Sequence, residues 1–191
     1  MTLLELLLVL TVLAVLAGLS APYLQRYLAE QEIRQNASLL RTELAGARIK
    51  AADTGLIYQF RSQPDGQWFV VLPHESLNTA AGETAARPGS QGGTPLISGR
   101  LSESCRFLPP QVVSAQSIVT ERLPEEWVQQ MPEGNELKDI NWSTPILFYP
   151  LGGATDDVVT VADREGRQVT LFVRGLTGGV TAGSLIYGAP Q

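Results

Sequence analysis

Residues 3–19 read LLELLLVLTVLAVLAGL, an apolar run broken only by Glu5, Thr11 and Gly18. No Lys or Arg occurs before Arg26. Leu and Ala dominate, so intrinsic helix propensity agrees with hydropathy. A helix from Thr2 to Leu24 rises roughly 35 Å, enough to cross a hydrocarbon core. The run predicts a membrane-spanning or fibre-core helix over residues 1–25, packed through Leu3, Leu4, Leu6, Leu7, Leu8, Val9, Leu10, Val12, Leu13, Val15 and Leu16. A cleaved secretory signal peptide fits poorly. The basic n-region is missing, an acid stands at position 5, and Leu19 occupies the place of a small residue in GLSA.

Glu5 is the informative residue. A carboxylate inside a bilayer costs about 2.5–3.5 kcal/mol, which a reach to the headgroups or a cationic partner offsets. The α-amino group of Met1 on a neighbouring copy is the most economical partner, and such a pair would fix the register between staggered helices. Pro22 removes one backbone bond and predicts a kink rather than a stop, because helical periodicity resumes after it.

Residues 26–53 continue the helix as an amphipathic stalk. Ile33, Ala37, Leu40, Leu44, Ala47 and Ala51 alternate steps of four and three, a narrow stripe suited to packing on the chain's own sheet. Asp53-Thr54-Gly55 supplies the stop, with Gly55 as a left-handed cap. Turn chemistry then takes over. Leu56–Arg61 and Trp68–Leu72 read as strands around Pro64-Asp65-Gly66. Residues 73–99 read as a long exposed loop, and Leu101–Leu108 and Gln111–Thr120 as strands. Residues 121–139 hold six acids against two bases, an acidic surface segment with one short helix near Glu125–Gln130. Ile146–Tyr149 reads as a short apolar strand, and Asp157–Ala162, Gln168–Arg174 and Val180–Ile186 as a closing meander in which VVTVA and VTLFV alternate as half-buried strands do. The expected class is α+β: a long N-terminal helix on an antiparallel β domain spanning residues 54–191.

Of the 191 residues only 17% are charged, and the formal net charge is −5. Residues 54–191 carry 9 bases against 14 acids, which argues against DNA as a partner held by bulk charge. Arg164, Arg167 and Arg174 are the local exception. One cysteine excludes an internal disulfide and a Cys-based zinc cluster, and one histidine excludes multi-histidine metal sites. His74 and Cys105 stand apart in sequence, and Cys105 reads as a buried small residue. Asp156, Asp157 and Asp163 invite a calcium reading, but their spacing fits no known loop and Asp is an ordinary turn residue. No nucleotide or zinc-protease motif occurs. The expectation is a non-enzyme without metal or cofactor.

The string MTLLELLLVLTVLAVLAG, with its acid at position 5 and Pro22, resembles the mature N-terminus of type IV pilins and type II secretion pseudopilins. The match covers roughly the first 25 residues. An early hairpin and a closing meander with Asp163-Arg164-Glu165-Gly166 and Thr177-Gly178 turns further resemble the H-type minor pseudopilins and their FimT relatives (GspH/FimT-like). Residues 73–155 look expanded beyond that family's minimum. The resemblance implies cleavage by a prepilin peptidase, N-methylation at Met1 and register set by Glu5. It also implies a fibre of pseudopilins or pilins built by an inner-membrane assembly platform. The resemblance implies a basic leader ending in glycine ahead of the processed residue, with Met1 expected to be that processed first residue or the start to be misassigned. Arg26, Arg34, Arg41, Arg48 and Lys50 alone would place the C-terminal side in the cytoplasm. The resemblance instead implies a single-pass anchor in the bacterial inner membrane with a periplasmic β domain. Two other functions remain open at this point: a FimT-type minor pilin in pilus assembly or DNA uptake, and an anchored binding protein that never polymerises.

Overall fold

In the computed structural model, residues 3–74, 96–109 and 120–188 are described, with the side chains of 17–23 and 25 outside that description. Met1 and the expected strand over 111–119 lie outside it as well. One helix, α1 (Leu3–Thr54), runs unbroken through Pro22, so this proline does not end it. Gly55, at φ +75°, stops it by donating its N–H to the Ala51 carbonyl at 3.0 Å.

Two antiparallel sheets pack on the second half of α1. The first contains β1 (Tyr58–Ser62), β2 (Trp68–Pro73), β3 (Ile97–Arg100) and β5 (Ile146–Phe148), in the order β3-β2-β1-β5. The second contains β4 (Cys105–Phe107), β6 (Asp157–Asp163), β7 (Arg167–Val173) and β8 (Val180–Ala182), with β9 (Ile186–Tyr187) also paired to β7. The β1–β2 turn uses Asp65 at φ 57° and joins the sheets, because Asp65 N–H donates to the Phe107 carbonyl and Phe107 N–H to that of Gly66.

The six stripe residues of α1 are all buried, together with Tyr58, Phe60, Phe69, Phe107, Phe148, Val161 and Leu171. Burying each of Ile33, Leu40 and Leu44 stabilises by about 1.5–3 kcal/mol, while Ala37, Ala47 and Ala51 let the sheets approach the helix closely. The amphipathic reading of residues 33–51 therefore holds.

Several expectations need correction. The expected strand Leu101–Leu108 is shorter, only Cys105–Phe107 being strand, because the chain turns just before it, where Cys105 N–H donates to the Ser102 carbonyl. Ile97–Gly99, expected in a loop, belongs to β3, and the close contact of Gly99 with the Phe69 ring explains why no side chain stands there. Val180–Ile186 is divided between β8 and β9. The acidic segment is also more than a surface. It folds as α2 (Glu125–Gln129) and α3 (Gly134–Leu137), which cover the outer face of the first sheet. Leu123, Trp127, Met131, Leu137, Ile140 and Trp142 meet Val70 and Leu72 there as a second core, leaving Glu125, Glu126, Glu136 and Asp139 in water. Alternation explains both cores: β2 turns Phe69 and Val71 toward α1, and Val70 and Leu72 toward the helical cover.

Candidate assembly surface

The N-terminal part of α1, from Leu3 to Leu16, is an apolar rod. Leu3, Leu4, Leu6, Leu7, Leu8, Val9, Leu10, Val12, Leu13, Val15 and Leu16 are all 48–83% exposed, on every side of the helix. A helix that is apolar all round is stable only when lipid or other helices cover it. Among the described residues no helix is long and apolar enough to cross a membrane. Glu5 stands in the first turns of this rod.

The β domain grips α1 where the rod ends. Arg167, 3% exposed, donates through Nε to Asp163 Oδ2 at 2.5 Å and pairs through Nη2 with Glu165 at 3.1 Å. Its Nη1 donates to the Arg26 carbonyl of α1 at 3.4 Å. Burial opposes charge on Arg167, but the Asp163 hydrogen bond and the charges of Asp163, Glu165 and Glu30 outweigh it and hold the guanidinium above its ordinary pKa. Asp163 also accepts the N–H groups of Glu165 and Arg167, which closes the β6–β7 turn. Alongside, Tyr187 donates its hydroxyl proton to Glu30 at 2.7 Å, and that carboxylate bond raises the tyrosine pKa. Sequence reading assigned Arg167 to a basic patch. The Asp–Arg spacing of four across a DREG turn was the available signal for a pair. The bond to a helix carbonyl had none.

The three arginines of that patch do not come together. Arg164 is exposed at the β6–β7 turn and donates to the Glu103 carbonyl. Arg167 is neutralised and buried, and Arg174 follows the opposite end of β7. The aspartates also separate. Asp163 joins the Arg167 grip, whereas Asp156 and Asp157, at the other end of β6, accept from the N–H groups of Gly175 and Val158. Among the described residues no group of three His, Cys, Asp or Glu could hold a metal.

His74 and Cys105 lie apart, His74 just past the end of β2 and Cys105 at the start of β4 in the other sheet. His74 N–H donates to Ile57 beyond the end of α1, while the Cys105 thiol accepts from Asn36 at mid-helix. Burial pushes the Cys105 thiol pKa up, although hydrogen bonds from Ser104 and Ser102 oppose it, so the sulfur is a poor nucleophile. It borders an open cleft of about 880 Å³ in which Asp65, Glu103, Glu136, Arg106 and Arg164 mix both charges.

No protein-family model matches the chain, and no curated protein does. In fold the chain is similar to the minor pseudopilin EpsH from the Type 2 Secretion System of Vibrio cholerae, with 11% identity and a TM-score of 0.44. The likeness covers 82% of this chain and 97% of that one.

Proposed function

We propose that the chain is a minor pseudopilin, a structural subunit of a type II secretion pseudopilus that assists protein export. The observation that carries this reading is the uncovered apolar rod with its acid at position 5, held as one helix with a folded α+β domain. In this reading the subunit waits as a single-pass protein of the bacterial inner membrane, its β domain periplasmic. Prepilin peptidase exposes Met1, which is then N-methylated, and the assembly platform moves the rod from lipid into a bundle of like rods. Lipid and neighbouring rods are interchangeable covers for such a surface, so the transfer needs no refolding of the β domain. Pro22 supplies the local bend where the bundle meets the domains. In this reading the Glu5 carboxylate attracts the Met1 amine of the next subunit and so sets the axial register between neighbouring rods.

The test is Glu5→Ala in the full chain, followed by cross-linking between copies carrying Leu10→Cys in the rod. Assembly is expected to fall at least tenfold, and export with it. If assembly and export both match the parent, the reading fails in favour of an anchored protein that never polymerises. Neither outcome requires the β domain to change, and its unfolding profile serves as the control.

A further inference from the structure

Four asparagines occur in the chain, and two of them open the triplet Asn-x-Ser: Asn36-Ala37-Ser38 and Asn141-Trp142-Ser143. In a domain outside the cytoplasm that triplet is the acceptor sequence for N-linked glycans. It is short enough to recur by chance, so burial has to choose between the two copies. Asn36 is 7% exposed at mid-helix. Its amide donates to the Glu32 carbonyl and the Ser102 hydroxyl, and its Oδ1 accepts the Ser102 N–H. A glycan there would break those bonds and force α1 away from the turn that leads into β4.

Asn141 is the opposite case. It follows α3 in an irregular stretch where inward and outward positions alternate. Ile140 and Trp142 enter the core beneath the helical cover, whereas Asp139 and Asn141 are exposed. Among the described residues nothing hydrogen-bonds the Asn141 amide, so a sugar on its Nδ2 displaces no contact. The two triplets also differ two residues upstream, where Asp139 precedes Asn141 and Arg34 precedes Asn36. A cationic subsite on a bacterial transferase would attract the first and repel the second.

From this contrast we infer that Asn141 is an N-glycan acceptor, loaded from a polyisoprenyl-pyrophosphate-linked oligosaccharide on the periplasmic side of the membrane before the helical cover closes. In the transfer Nδ2 attacks the anomeric carbon. The C–N bond forms as the bond from that carbon to the pyrophosphate oxygen breaks, the lipid pyrophosphate leaves, and the Nδ2 proton passes to a carboxylate of the transferase. The timing follows from the neighbours. Trp142 is fully buried. The Ser143 hydroxyl, which a transferase must reach, accepts the Ser62 N–H at 3.1 Å and donates to the Thr144 carbonyl at 3.2 Å. The folded triplet is therefore closed to an enzyme, while the finished glycan stands in water. This inference rests on the periplasmic placement proposed above and adds a modification to the helical cover.

The test is mass spectrometry of tryptic peptides from the full chain isolated from its own cells. Peptide Asp139–Arg164 is expected to carry an added glycan mass located at Asn141, and peptide Gln35–Arg41 to be bare. Asn141→Gln should abolish the added mass, Ser143→Thr should keep it, and Asp139→Asn should lower occupancy at least fivefold. Placement is read separately, from labelling of Leu176→Cys on an exposed loop by a membrane-impermeant maleimide in spheroplasts, where buried Cys105 stays unlabelled. A labelled domain with a bare Asp139–Arg164 peptide overturns the acceptor and leaves the pseudopilin reading standing. An unlabelled domain overturns the periplasmic placement and both readings with it. A glycan on Gln35–Arg41 overturns the selection by burial.

Discussion

Arg167→Ala is expected to destabilise the β domain by about 3–5 kcal/mol, the range for removing one partner of a buried ion pair. The cost comes from what remains. Asp163 is 6% exposed and would be left with only two backbone N–H donors. Glu165 is exposed, so its share of the grip is small. Loss of the guanidinium also frees α1 from its tie at Arg26, and the first helical turns beneath the domain should exchange their amide protons faster. A double change, Asp163→Asn with Arg167→Met, keeps an acceptor for the turn and leaves no buried charge, so it should recover at least half of the loss. Urea unfolding of the three chains measures this. A cost below about 1 kcal/mol for Arg167→Ala would mean that water already solvates the guanidinium and that the grip is ornamental.

Trp142 offers the second large effect, with an opposite lesson about polarity. It is fully buried in the core beneath α2 and α3, and its backbone pairs with Glu121. Trp142→Ala should cost about 3–5 kcal/mol through lost burial and the cavity left behind. The indole Nε1 is buried without a hydrogen-bond partner among the described residues. Trp142→Phe therefore removes an unsatisfied donor along with some volume, and should cost less than about 1.5 kcal/mol. Thermal unfolding separates the two. If phenylalanine costs as much as alanine, the indole N–H has a partner and the core is polar at its centre.

What the sequence disclosed follows from the range of the interactions involved. The stripe from Ile33 to Ala51 and the turns at Asp65, Gly166 and Gly178 depend on a few adjacent residues, so periodicity and turn chemistry found them. The short helix near Glu125–Gln130 was legible, but the buried side of the helical cover was missed because six acids between 121 and 139 outweigh its apolar residues in composition. Leu123, Trp127, Met131, Leu137, Ile140 and Trp142 share one buried side only after two short helices and a bridge have formed. The strand in Ile97–Arg100 was hidden because glycine at 99 weakens strand propensity, and its close fit to Phe69 arises only once β2 lies alongside. Among the candidate assembly residues, the rod could be named from hydropathy alone. The Arg167 grip could not, since one of its partners is a backbone carbonyl 141 positions away.

The absence of a break in α1 at Pro22 has a further consequence, one of phase. The rod and the stripe that carries the sheets are one helix, so the number of residues between Leu16 and Ile33 fixes the azimuth of the β domain around the rod. Deleting one residue there would swing the domain by about 100° while moving it only 1.5 Å along the axis. Deleting seven would shorten the stalk by about 10 Å yet return the domain to within about 20° of its original heading. Length is thus negotiable in this stalk in units of seven, and heading is not.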